Sequence, residues 1–427
     1  MILSSPFIGS ILPLLGAPTA GCGTYWSAMF ESEVVVIEGG IAGASTAFHL
    51  AQHGRRVTLL ERGAIASEAS GVNAGGIGAL GWGNVPDLES HLTMGSLEIF
   101  RSLQLDLGYD IEFRQSGGLQ AVQSPEEYEY ARNRISALRS RGYTAELLTA
   151  REARSIEPNL NPRLAGAMHF PLRAQADPSK ATRALADAAQ RQGADVITGK
   201  TVTGIARASD GTYRIDCSGD TFRAGRLVLA AGAWCAPFGE MLGISIPIVP
   251  VRGQMWATEP LPPRVFHSIS AVESYSYWAG NPEISPGQPP ELTHVGDQRV
   301  TRHLYGRQTR DGEVIFGGDR QALGYDRTLD AGGIDANFCH VAEILPFLAE
   351  LSIKRSWSGL MPFSMDGKPI IGSIPQADNL YVVSGLASSG FGRGPMAGKL
   401  LADYIRTGHR DRVLLDADPA RCVTALD

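Results

Sequence analysis

The sequence lacks paired cysteine, an excess of positive charge and any long apolar run, and each absence excludes something. Its five cysteines, Cys22, Cys217, Cys235, Cys339 and Cys422, are scattered, none in a CxxC, and no histidine stands at zinc-ligand spacing. Neither a disulfide framework nor a metal site is expected, and free thiols in a reducing compartment are. A net charge of −6 argues against a general nucleic-acid binder. No stretch reaches the ~18 apolar residues a membrane helix needs. No lysine or arginine precedes Arg55, so the apolar opening lacks the positive segment of a secretory signal. Residues 1–28, punctuated by Pro6, Pro13 and Pro18, read as an unstructured leader ahead of Met29. The expectation is a soluble, cytoplasmic protein. At 427 residues, 44% hydrophobic and 19% charged, the chain can bury a full core without cross-links and divide into two or three units. What it has in plenty is glycine: 50 residues, about 12% against a usual ~7%. They fall in short clusters without a collagen-like period, a sign of backbone packed closely against something.

The apolar periods place the clusters. Val34-Val35-Val36-Ile37 is a continuous β-branched run, as in a buried parallel strand. A tight turn over Gly39 to Gly43 leads into a helix over Ile41–His53, stopped by Gly54, and Val57 to Glu61 is the next strand. Together they form one βαβ unit. Helices are expected over Pro86–Leu107, Pro125–Arg141, Pro178–Gln192 with Asp177 as N-cap, Ile334–Leu351 and Pro395–Ile405. Strands are expected through 194–220, over Arg226–Gly232, through 247–318 and over Leu380–Val383.

Glu38-Gly39-Gly40-Ile41-Ala42-Gly43 sits between strand and helix, with Glu61 and Arg62 closing the second strand. This is the context in which a glycine fingerprint binds a dinucleotide. Gly40 lets the backbone approach a pyrophosphate, Gly43 lets the helix approach the strand, and the helix N-terminus offers N–H groups to phosphate. Glu61 can accept hydrogen bonds from ribose hydroxyls. One position departs from the pattern, because the first glycine is Glu38. A Cβ there strains the turn and a carboxylate repels a pyrophosphate.

Further along come Ser70-Gly71-Val72-Asn73-Ala74-Gly75-Gly76-Ile77, Arg114-Gln115-Ser116-Gly117-Gly118-Leu119, Ala176-Asp177-Pro178, Ala230-Ala231-Gly232-Ala233-Trp234 and Pro250-Val251-Arg252-Gly253-Gln254. Trp357-Ser358-Gly359-Leu360, Asp366 to Gly372 and Gly385 to Gly398 follow. In this order they resemble the flavin-dependent amine oxidoreductases, the family of D-amino-acid oxidase, glycine oxidase, sarcosine oxidase and the D-amino-acid dehydrogenases, from about Val34 to Ile405. The resemblance implies an α/β fold: a Rossmann-type FAD-binding domain of discontinuous segments (29–110, 165–245 and 352–410) with an inserted, mostly antiparallel β substrate domain (111–164 and 246–351) and a tail over 411–427. It implies non-covalent FAD held by Gly39, Gly40, Ile41, Ala42, Gly43, Glu61, Arg62, Ser70, Asn73, Ala74, Gly75, Gly76, Val202, Ala231, Gly232, Trp234, Gly359, Ser389, Gly390, Phe391 and Gly392. Val202 matches the position that holds adenine through its backbone. The implied reaction is hydride transfer to flavin N5 from the carbon of a C–N bond, with hydrolysis of the imine. The electron acceptor is then O2 or a respiratory or other carrier, and the protein a homo- or hetero-oligomer.

The substrate end departs from the family. Where members acting on simple amino acids read Gly-Leu-Arg-Pro, with an Arg that binds the carboxylate, this chain reads Gly359-Leu360-Met361-Pro362. Leu386-Ala387-Ser388-Ser389 replaces the usual His-containing string. Strand alternation puts His303, Tyr305 and Arg307 on one face, either a pocket wall or a solvated surface. Arg393 lies beside the flavin loop or packs on a helix surface. Tyr277, within Tyr275 to Trp278, belongs to an aromatic wall or to the core. A bulky, N-substituted or opine-like amine fits a site without the usual Arg, and no catalytic residue is assigned. Two other readings stay open: a flavoprotein subunit that needs a partner chain, and a flavin enzyme of the same fold acting on a hydroxyl.

Overall fold

The computed structural model describes residues 29–78, 80, 86–272, 294–295, 298–299 and 303–426. The leader and Tyr277 lie outside them. The Met29–Ile37 strand is the centre of the first sheet, parallel to Asp220–Leu229 on one side and to Val57–Glu61 on the other. Leu380–Ser384 and then the antiparallel Ile370–Ser373 extend one flank, and Asp195–Thr198 extends the other. Val34 to Ile37 are buried on both faces, which is why the run is continuous rather than alternating. Val34 and Val36 pack under the helices Ile41–Gln52, Pro178–Arg191 and Gly390–Thr407. Val35 and Ile37 pack against the hairpin of Val202–Arg207 and Tyr213–Cys217. Asp177 caps its helix as expected, accepting from the Lys180 N–H at 2.7 Å.

The second sheet runs in the order Arg355–Ser364, Ile248–Ala257, Val314–Gln321, Tyr305–Gln308, Ser268–Ala271, Gly118–Val122, Gly166–Phe170 and Glu146–Thr149. Its neighbours are antiparallel except for Ser268–Ala271 against Gly118–Val122. The Ala331–Ile344 helix covers it through Trp256, Phe316 and Val341. Two strands expected in the nucleotide-binding part belong here instead. Gly166–Phe170 pairs with Gly118–Val122, and Arg355–Ser364 pairs over its whole length with Ile248–Ala257. Those partners lie about 50 and 110 residues away in the chain, so no local pattern marks them.

The last helix begins at Gly390, five residues before the expected start at Pro395. Among the described residues no helix is long and apolar enough to cross a membrane.

Candidate functional site

The C-terminal ends of the central parallel strands open onto a cleft of about 940 Å³. Of the residues expected to hold a cofactor, Gly40, Ile41, Ala42, Glu61, Arg62, Ser70, Asn73, Ala231, Gly232, Trp234, Gly390 and Phe391 line it together. The fingerprint turn builds its floor. Gly40 caps the Ile41–Gln52 helix without a side-chain acceptor, and no acidic residue stands in the first turn. The Ile41 N–H donates to Ser70 Oγ at 2.9 Å. Glu61 is fixed by two backbone donors, the Gly39 N–H at 2.8 Å and the Gly63 N–H at 2.7 Å. Gly39, Gly43, Gly75 and Gly359 are not among the residues lining the cleft. Gly75 adopts φ 76° and donates to Asn73 Oδ1 at 2.7 Å. A Cβ on Gly359 would lie 2.6 Å from the Val72 side chain. Val202 is not among the residues lining the cleft; its side chain packs in the core on the other face of the sheet.

This cradle fits a dinucleotide. A helix N-terminus free of acid, a carboxylate fixed for hydroxyl groups and a glycine-lined floor are the parts such a ligand needs. The exception is Glu38, held at φ 77° in the left-handed region that favours glycine. That conformation costs on the order of 1–3 kcal/mol for a residue with a side chain. Glu38 lines the cleft, with its Oε2 3.9 Å from Nε of Arg62, another lining residue. Burial first, then Glu61, pushes the Glu38 carboxyl up to about 8. At the mouth the Arg62 guanidinium lies 3.9 Å over the Trp234 ring and 3.0 Å from Glu68.

A second cavity of about 870 Å³ adjoins the cleft, and Asn73, Tyr305, Ser388 and Phe391 line both. Ala74, Gly76, Ser389 and Gly392 line the cavity, and so do His303, Tyr305 and Arg307. That strand face is therefore a pocket wall and not a solvated surface. The uncapped start of the Gly390–Thr407 helix, with no acid in its first turn, points its positive end at the junction.

Four arginines reach this cavity among the described residues: Arg173, Arg307, Arg320 and Arg393. Arg307 is buried and spans two carbonyls, Ala74 O at 2.5 Å and Ala176 O at 3.2 Å. Burial lowers its guanidinium to about 10. Arg393 is 3% exposed and pairs with Glu89 at 3.1 Å, so it is not a helix-surface residue. Arg320 donates to His303 Nε2. Arg173 reaches Ser270 Oγ at 3.4 Å and stacks over Phe170 at 4.3 Å. Burial, then Arg320 and His340, holds His303 well below the usual histidine range, and burial raises the Tyr305 hydroxyl. Met361 stands with Leu360 and Pro362 on the wall of the cleft, not in this cavity. Arg173 and Arg320 were not singled out from the sequence. The readable signal was an Asp-Arg pair, Asp319-Arg320, at the end of the apolar run Val314-Ile315-Phe316. Among the described residues no cluster of His, Cys, Asp or Glu could hold a metal ion.

Residues 33–404 match the family described as FAD dependent oxidoreductase. The chain is 28% identical over 378 residues to glycine oxidase of Geobacillus kaustophilus, covering 87% of this chain and 92% of that one. It is 29% identical over 392 residues to sarcosine oxidase subunit beta of Rhizobium meliloti, covering 88% and 85%. Among solved structures, L-proline dehydrogenase from P. horikoshii superposes with a TM-score of 0.79 at 26% identity, over 92% of this chain and 98% of that one.

Proposed function

The chain belongs to the FAD dependent oxidoreductase family, and from that premise we propose that it oxidises the C–N bond of an N-substituted amino acid, an opine-like secondary amine. The family's enzymes named above act on amino acids and secondary amines. The single observation that carries the finer reading is the cavity beside the cleft, whose wall holds Arg173 and Arg320 together with His303 and Tyr305. Bound FAD supplies the two-electron oxidant that accepts hydride from the carbon bearing the nitrogen, and the imine so released is hydrolysed.

The protein's part is placement and electrostatics. Arg320 and Arg173 would bind a carboxylate, replacing the arginine that Met361 displaces. His303 and Tyr305, both uncharged at neutral pH, add hydrogen bonds without adding a base. Burial and two nearby guanidiniums lower the pKa of a substrate ammonium, so the amine enters its reactive neutral form without a dedicated catalytic base. Ile77, Ile269 and Phe391 make the remaining wall apolar and exclude water. The helix start at Gly390 favours negative charge formed at the junction. Cytoplasmic placement and non-covalent flavin belong to the same reading.

The test is anaerobic bleaching of the yellow protein by a panel of glycine, sarcosine, D-alanine, N-(carboxyalkyl) amino acids and glycerol phosphate. N-substituted amino acids should bleach it fastest, and Arg320→Met should raise their KM at least tenfold. Readmitted air separates an oxidase from a dehydrogenase by the rate of reoxidation. Bleaching by glycerol phosphate alone would move the reading to a hydroxyl substrate. Colourless protein that acquires flavin only beside a second chain would move it to a partner-dependent subunit, a reading favoured by the likeness to a sarcosine oxidase subunit.

A further inference from the structure

Glu38 stands where the fingerprint has its first glycine, and the turn keeps a glycine's backbone around it. Its side chain is nearly buried and lines the cleft beside Gly40, Glu61 and Arg62. Glu61 cannot swing away, because the Gly39 and Gly63 N–H groups hold both of its oxygens. Counter-charge is thinly spread. Arg62 Nε lies 3.9 Å from Glu38 Oε2, but the same guanidinium is 3.0 Å from Glu68 and is stacked on Trp234. Glu68 in turn is shared with Arg327 at 3.2 Å. Three carboxyl groups thus face two guanidiniums at the end of the cleft. The remaining titratable neighbour, Cys235, is buried and its thiol is pushed up to about 12, so it contributes no charge. A dinucleotide brings two more negative charges to this place. A fully ionised Glu38–Glu61 pair would oppose it by like-charge repulsion in a poorly solvated site.

We propose that Glu38 is a cofactor-binding residue that acts as an acid, so that FAD is taken up with a proton held between Glu38 and Glu61 and is released when that pair is fully ionised. The inference rests on FAD being the ligand of this cleft and deepens that reading. The sign follows from linkage. Below about 8 the Glu38 carboxyl already carries its proton in the free protein, so binding takes up none and affinity is level with pH. The bound anion raises the group further, so above about 8 binding must take up a proton. Affinity then falls about tenfold per pH unit until the group of the complex itself titrates.

Apo-protein titrated with FAD from pH 6.5 to 9.5, read by flavin fluorescence, tests this in the wild type, Glu38→Gln and Glu38→Gly, with far-UV circular dichroism following the fold. The wild-type Kd should be level to about pH 8 and rise about tenfold between pH 8.5 and 9.5. Both variants should give level profiles, and Glu38→Gly should bind at least as tightly as the wild type at pH 9.5. ADP, which carries the pyrophosphate and ribose without the flavin, should reproduce the wild-type slope. The same slope in all three proteins would overturn the proposal, as would weaker binding by Glu38→Gly at pH 9.5. Failure of every protein to bind FAD at any pH would overturn the ligand assignment along with it.

Discussion

Arg393 and Arg307 both reach the cavity, and both guanidinium groups are held by partners far away in the chain. Arg393 pairs with Glu89, and burial, opposed by Arg393, raises the Glu89 carboxyl. Removing one member of such a pair leaves an uncompensated buried charge, which costs about 3–5 kcal/mol. Arg393→Leu should therefore lower stability by about that amount in urea unfolding, and adding Glu89→Leu should restore much of it. No change in the single variant would show the pair to be solvated. Alternation along a strand put His303, Tyr305 and Arg307 on one face, and the glycine-rich loop put Arg393 beside it; all four line the cavity. The sequence could not say which were already engaged, since Glu89, Ala74 and Ala176 come near only in the folded chain. Glu38 was legible in full as an exception, because the motif around it is local and its missing glycine stands out.

The helices Ile41–Gln52 and Gly390–Thr407 bring their starts to the cleft by crossing closely. A Cβ on Gly394 would lie 2.6 Å from the Ile41 side chain, and one on Gly398 2.6 Å from the Ala42 carbonyl oxygen. Ser45 Oγ donates to Pro395 O at 2.6 Å across the same seam. Gly398→Leu should cost at least about 1–3 kcal/mol by overpacking. Flavin content should fall with it, because separating the helices moves both N-termini. A variant with lowered melting temperature but full flavin content would break that link. The first βαβ unit was readable from period and punctuation alone. The early start of the last helix was not, because Gly390, Gly392 and Gly394 are poor helix formers. Tertiary contact outweighs propensity there: a Cβ on Gly392 would already stand 3.4 Å from Gly76 O, and Gly394 faces Ile41.

Between the two sheets, Arg307 ties the second sheet to the loop at Ala74 and to Ala176, and Trp357 Nε1 donates to Val72 O at 2.7 Å. Arg307→Leu would strand two carbonyls and should cost about 2–3 kcal/mol, read as a lower melting temperature with weaker FAD retention. An unchanged melting temperature would mean that the sheets are held elsewhere. Fold class and the discontinuous nucleotide-binding part were legible because glycine clusters and apolar runs keep their order. The assignment of Gly166–Phe170 and Arg355–Ser364 was not, since pairing across a sheet follows register and leaves no mark in either strand. The same topology has a consequence during synthesis. The central strand at Met29–Ile37 emerges from the ribosome long before its neighbour at Asp220–Leu229, and Leu380–Ser384 follows later still. The wall residues Val383 to Phe391 are among the last parts of the cleft to be translated. A nascent chain that has not reached Phe391 therefore has half a cradle and nothing to close it, and flavin loading waits until Leu380–Ser384 has joined Asp220–Leu229 beside the Met29–Ile37 strand.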